Sequence, residues 1–331
     1  MSNRTRLLLF GCGAALFGYL ISRIGLKELI GTAARTGWMF VVILLVYGLV
    51  YACNTWAWLL IMAGEPRRPS FWRAYMVTVS GFALNFVTPM VNVGGEPFKI
   101  AAVAPWLTTR RAAGSVIIHN GLRILSFLLT WLTAIALGYA MLPHDWITLT
   151  ALTVAGVLVA ALTGLLLAAH RRGALAAVLS ALHRVPGLQA LGRTIEPRRE
   201  LLVQMDEQIV HFYHAHPGRF AGALGLEYLS RCLYMAEFYL IAVSIGLPMS
   251  YAQAFLVGGL TTLAQNVMFM IPYEVGAKEA AFYLMFGMIG FPPKLGVYTA
   301  LVSRVRDLIW IGVGLALVWS ASRGRPAEAV S

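Results

Sequence analysis

Apolar residues run along this chain in long uninterrupted stretches, at residues 7–24, 38–62, 112–142, 147–169, 219–246 and 295–320, separated by short polar or arginine-bearing segments. A stretch of about 20 apolar residues is what an α-helix needs to cross a bilayer. Six membrane-crossing helices are therefore expected. Two further stretches have the same apolar character and are broken in the middle. From Arg73 the chain stays apolar to Val93, meets Gly94, Gly95 and Pro97, and resumes from Phe98 to Leu107. From residue 251 it runs to 271, breaks at Pro272 and Gly276, and continues from Glu279 to Gly290.

Irregular backbone at membrane depth persists only where protein or a wet cavity satisfies its peptide groups. The two breaks therefore predict the walls of one site. The arginines orient the rest, since positive residues stay on the cytoplasmic side. Arg67, Arg68 and Arg73 precede the first broken segment, and Arg110 and Arg111 follow it. Both its ends are thus inside, and 74–109 is expected to dip in and return as a re-entrant hairpin. The turns at 143–146 and 246–250 carry neither Lys nor Arg and are expected outside. His170 to Arg219 holds seven arginines against four acids, the strongest cytoplasmic signal. Arg323 and Arg325 place the C-terminus inside, so 251–293 enters and leaves from the outer side.

The expected fold is an all-α polytopic membrane protein. It is a single membrane domain, with a first half over 1–169, a basic cytoplasmic loop over 170–218 and a second half over 219–331. About six full spans and two oppositely directed broken-helix hairpins form an inverted pseudo-repeat. Both termini are expected in the cytoplasm, and the membrane is expected to be a bacterial inner membrane.

Composition agrees: 59% of residues are hydrophobic, 12% charged, and mean hydropathy is +0.73. The formal charge of +12 would point to nucleic acid in a soluble protein, but here the arginines sit at span ends, so no nucleic acid is expected. Cys12, Cys53 and Cys232 lie in apolar spans without paired spacing and indicate no disulfide or metal knuckle. His211, His214 and His216 offer imidazoles without a carboxylate spaced to complete a shell, so no metal is expected. No nucleophile elbow or phosphate loop of the soluble kind occurs. Neither an enzyme nor a cofactor is expected.

The candidate chemistry lies at the breaks and in the spans beside them. Asn85, Gly94, Gly95, Glu96 and Lys99 mark the first, and Pro272, Glu274, Gly276, Lys278 and Glu279 the second. The chain has four lysines, and two of them, Lys99 and Lys278, fall in the breaks. A helix opening at Pro97 would bring backbone amides and Lys99 toward an anion. Within 112–142, Ser115, His119, Arg123, Ser126, Thr130 and Thr133 share one helical face, with Arg123 near mid-depth. An arginine at that depth must face a partner or a wet cavity. Glu227 and Arg231 are spaced to pair at i, i+4, and Arg304 and Asp307 at i, i+3. Six cations and six acids balance across the spans, leaving the sign of the ligand open. A phospholipid, a small solute moved with an ion, or no substrate at all, as in a scaffold, remain compatible with these residues.

The segment Gly94, Gly95, Glu96, Pro97, Phe98, Lys99, followed later by Pro272 to Glu279, resembles the flippase-like family that includes the transmembrane region of lysylphosphatidylglycerol synthases. The likeness extends over nearly the whole chain. At the second motif Tyr273 and Glu274 stand where that family has a glycine-rich run, while Pro272, Gly276 and Glu279 are retained. The resemblance implies movement of phospholipids, including aminoacylated ones, between leaflets. Membrane lipid is the implied partner. A lipid-synthesis enzyme and a second copy of the chain are the protein partners it allows. Full-length synthases add a soluble transfer domain; about a dozen residues follow the last span here, too few for a domain, so lipid synthesis is not expected.

Overall fold

The computed structural model describes residues 30–31, 34–87, 95–172, 207, 210–267 and 277–323. The expected span at 7–24, most of the basic loop 170–218, and Gly94, Pro272, Glu274 and Gly276 lie outside the described residues. Those described are helical throughout, with no strand. The principal helices are α1 (Met39–Ile61), α2 (Phe71–Val87), α3 (Gly95–Val103), α4 (Thr109–Met141), α5 (Trp146–Arg172), α6 (Pro217–Ser244), α7 (Tyr251–Val267), α8 (Ala277–Met288) and α9 (Pro293–Arg323).

The long helices begin and end within about three residues of the apolar runs, because the same polar residues that bound the runs supply the caps. Thr108 accepts the Arg111 N–H at the start of α4. The Asp145 carboxylate takes the Ile147 and Thr148 N–H groups and the Thr148 hydroxyl, starting α5. Those bonds, the Thr148 N–H foremost, hold the Asp145 carboxyl below its ordinary value. Gly246 and Gly290, at φ 69° and 81°, take the left-handed turns that stop α6 and α8.

Three helical segments, Met39–Gly64, Thr109–Met141 and Trp146–Ala168, are long and apolar enough to cross a membrane. At 28 and 31 residues, α6 and α9 have the length as well, but carry charges mid-helix. Val41, Leu45 and Leu49 on α1 and Val154, Val157, Leu158 and Leu165 on α5 are exposed, an outer surface suited to lipid rather than water.

Packing fixes where the broken helices sit. The most extensive helix contact is between α1 and α6. On one side of that pair α2 packs against α9, and on the other α7 packs against α4. Small residues let both pairs close. A Cβ on Gly314 would lie 2.5 Å from the Cβ of Ala83, and one on Gly259 would lie 2.4 Å from that of Ala134. Helix α3 packs against α2, and Val103 and Leu107 share a core cluster with Ala74, Ile61 and Met62. Helix α8 likewise packs back on α7 and continues into contact with α9.

Candidate functional site

Polar residues tie the start of α3 to the end of α2. Asn85, near the end of α2, accepts the Gly95 N–H at 2.7 Å and donates to Glu96 Oε1 at 3.1 Å. The same carboxylate oxygen takes a hydrogen bond from Lys99 at 3.4 Å, and Asn120 of α4 stands against that carboxylate. Thus Asn85 caps the amide that opens α3, while Glu96 and Lys99, one turn apart, meet on its first turn. Lys99 is only 2% exposed. Its stem lies across Gly81, where a Cβ would come within 2.6 Å of Lys99 Cε.

The tightest approach in the hairpin is at Gly95, where a Cβ would be 2.1 Å from the Gly81 carbonyl oxygen. That neighbour is backbone and cannot step aside. Gly95→Ala is expected to destabilise the protein by roughly 1–3 kcal/mol, the usual cost of overpacking. Gly164→Ala on α5, with nothing within 4 Å, is expected to change little. Thermal unfolding of the two variants in detergent checks the difference.

Four more charged or titratable groups gather around this hairpin. His119 on α4 and Glu227 on α6 are buried and hydrogen-bonded at 2.8 Å, across 108 residues of sequence. Arg231 sits one turn along α6 with its Nη2 4.0 Å from Glu227, so the i, i+4 pair forms at long range. Its guanidinium lies 3.8 Å over the Phe127 ring. Arg123, only partly buried, lies within electrostatic reach of Lys99, Glu96, Glu227 and Arg231 and forms no ion pair among the described residues. Trp58 stacks parallel on His119 at 5.9 Å and donates to Ser115 at 3.2 Å. Buried atoms with no hydrogen-bond partner cluster here: His119 Nδ1, Glu227 Oε2 and Arg231 Nε. An unpaired polar atom in a buried site is costly, so these three set the cluster apart from the apolar packing around it.

The second break has a different character. Arg304 of α9 forms a two-pronged bond with Glu279 of α8, at 2.5 and 3.0 Å. Arg306 forms another with Glu237 of α6, at 3.1 and 2.5 Å, and also contacts Asp307. Lys278 reaches Asp307 at 3.5 Å. The expected Arg304 to Asp307 pair does not form: packing of α8 on α9 presents Glu279 to Arg304, and Asp307 is taken by Lys278 and Arg306. Every described cation here has a carboxylate.

An aromatic layer around Tyr47 stands against Arg306 and within electrostatic reach of Arg231. Tyr47 packs on Tyr51 and Tyr234, and Tyr51 on Phe82 and Trp310. Arg306 lies 3.6 Å over Tyr47. The sequence reading picked out Lys99, His119, Arg123 and Glu227 but passed over Trp58, Asn120 and Tyr47 as site residues. Glu237 and Arg306 are counted there among the charges of the spans, since a charge within an apolar span is itself a signal, but are not placed in the site. The aromatic residues carry no such signal, because aromatics are ordinary in apolar spans. The three histidines of the basic loop do not gather. His211 stacks with His216 at 6.4 Å, while His214 turns to the Arg171 carbonyl at 3.0 Å.

The chain matches a known family model, the lysylphosphatidylglycerol synthase TM region, over residues 5–315. The chain belongs to this family. As a lysylphosphatidylglycerol synthase TM region it is an integral membrane protein, of a membrane region tied to lipid modification. No curated protein and no solved structure matches the chain.

Proposed function

We propose that this protein moves a phospholipid, or a lipid-linked head group, from one leaflet to the other, as a carrier rather than an enzyme. The observation that carries the proposal is the charge at the first break. Among the described residues Lys99, Arg123 and Arg231 face only Glu96 and Glu227, and Arg123 is the cation left over. A partly buried surplus cation among apolar helices is stabilised by an anion that meets it, and a lipid phosphate supplies one. Lys99 and Arg123 bind the phosphate, and Glu96 and Glu227 hold the cations in place. The second cluster, with Lys278, receives the head group after it passes the aromatic layer.

The packing supports a head-group path with the tails left in the bilayer. An apolar groove of about 670 Å³ runs along α4, α5 and α7, from Trp146 to Leu162, and reaches Asn266 beside the second break. The reciprocal contacts, α2 on α9 and α7 on α4, suit two inverted halves around the α1 and α6 pair. In this reading α2 with α3 and α7 with α8 are re-entrant hairpins from opposite faces. The end bearing Arg67, Arg68, Arg110, Arg111 and Arg219 faces the cytoplasm of an inner membrane, as do both termini.

The test is transfer of head-group-labelled phosphatidylglycerol in proteoliposomes, read by dithionite protection. Faster transfer of this anionic lipid than of labelled phosphatidylcholine is expected. Folded, inserted protein that accelerates neither lipid would refute the proposal.

A further inference from the structure

A second cavity, of about 400 Å³, opens where α1 ends and where both α4 and α6 begin. Its polar lining is Glu65, Arg111, Ser115, His211, His216 and Arg219. Arg111 is occupied by Glu65 at 2.7 Å. Arg219 has no ion pair or hydrogen bond among the described residues, so the lining carries one surplus positive charge besides two imidazoles. Two helix N-termini add to it. Neither α4 nor α6 has an acid in its first turn; each carries an arginine there instead, and His216 provides no side-chain cap for α6. The positive ends of α4 and α6 therefore add to the arginines, and Glu65 is the one carboxylate of the lining that meets them.

The remaining walls are apolar: Ile61, Leu107 and Phe212 are buried core residues that also line the cavity. The space suits a phosphate with a short organic group attached, since small-molecule sites begin at roughly 300 Å³. Gly64 shapes the mouth. A Cβ there would stand 3.1 Å from Arg219 Nη1, so the missing side chain lets the guanidinium lie across the rim. Ser115 in the lining receives the Trp58 indole, and Trp58 stacks on His119, so a single aromatic side chain links this cavity to the charged cluster at the first break.

We propose that this cavity is a separate binding site for a phosphate-bearing head group, with Arg219 as the phosphate contact and the apolar wall taking the glycerol backbone of a phospholipid. The proposal rests on the lipid reading above. It adds a docking step at the rim of the bundle, before the head group reaches Lys99 and Arg123. Lipid and free phosphoester share the phosphate, and the apolar wall favours the lipid.

The test is calorimetric titration of the full chain, in nanodiscs of zwitterionic lipid, with dihexanoyl phosphatidylglycerol, dihexanoyl phosphatidylcholine and glycerol phosphate. The phosphatidylglycerol is expected to bind, and Arg219→Gln to weaken it about tenfold, the loss of roughly one charge-assisted hydrogen bond. Gly64→Leu, which crowds the same guanidinium from an exposed position, is expected to weaken it as well. Glu96→Ala/Lys99→Ala is expected to leave this binding intact while lowering transfer. Unchanged affinity in Arg219→Gln and Gly64→Leu would overturn the site, as would loss of binding in the Glu96 and Lys99 variant, which would put the ligand at the first break. Glycerol phosphate binding as tightly as the lipid would overturn the lipid as occupant. Absent binding by wild-type protein that still transfers lipid would overturn the docking step and leave the transfer reading standing.

Discussion

Glu96→Ala/Lys99→Ala is expected to lower lipid transfer by roughly 10- to 100-fold, since the charge-assisted bond from Lys99 to the phosphate, worth about 1.5–3 kcal/mol, is removed from the path. The double variant is preferred to either single one for a physical reason. Lys99 is 2% exposed and pairs with Glu96 at 3.4 Å, so deleting one partner leaves the other buried and uncompensated. Removing both keeps the local charge balanced, and Asn85 still accepts the Gly95 N–H that opens α3. Folding is therefore expected to persist, checked by a single symmetric peak in size exclusion and a thermal midpoint near that of the wild type. Transfer at the wild-type rate by such a protein would remove the first break from the path. Arg123→Gln, which deletes the surplus cation, is expected to act in the same direction with the Glu96 to Lys99 pair intact.

Arg306→Met is expected to cost about 3–5 kcal/mol of stability with transfer affected only through loss of folded protein, the size seen when one partner of a buried pair is removed. Arg306 is 1% exposed, bonded through two nitrogens to Glu237 and stacked over Tyr47. Without it Glu237 has no cation of its own, and Lys278 is held by Asp307. Arg306→Met/Glu237→Leu should recover most of the loss, because two apolar side chains fill the same space without desolvating charge. The four proteins of this cycle, unfolded thermally in detergent, give the coupling directly. A single variant as stable as the wild type would show that the pair is not structural.

These two expectations separate the clusters by task, and that separation explains why the sum over the sequence was uninformative. Six cations against six acids cancels on paper. The fold sorts them unevenly, three cations with two carboxylates at the first break and fully paired groups at the second among the described residues. Glu274, the sixth acid of that sum, lies outside the described residues.

The sequence by itself determined the helical class, the extents of α1, α4, α5, α6 and α9, and the position of the first break. Those features depend on local physics: the length of an apolar run, an arginine at its end, the inability of glycine and proline to continue a buried helix. The Glu96 to Lys99 pair was legible for the same reason, since residues three apart on one helix turn are neighbours wherever the helix goes. The tertiary structure alone decided which charges meet across helices. His119 finds Glu227 across 108 residues, Arg306 finds Glu237 across 69, and Arg304 takes Glu279, 25 residues away, in place of the nearby Asp307. Spacing along a chain bounds only partners on the same helix. Partners on different helices are set by how closely the helices approach, and for α9 on α8 that approach depends on Gly296, where a Cβ would run into the Phe282 carbonyl and whose missing side chain leaves no periodic trace in the sequence.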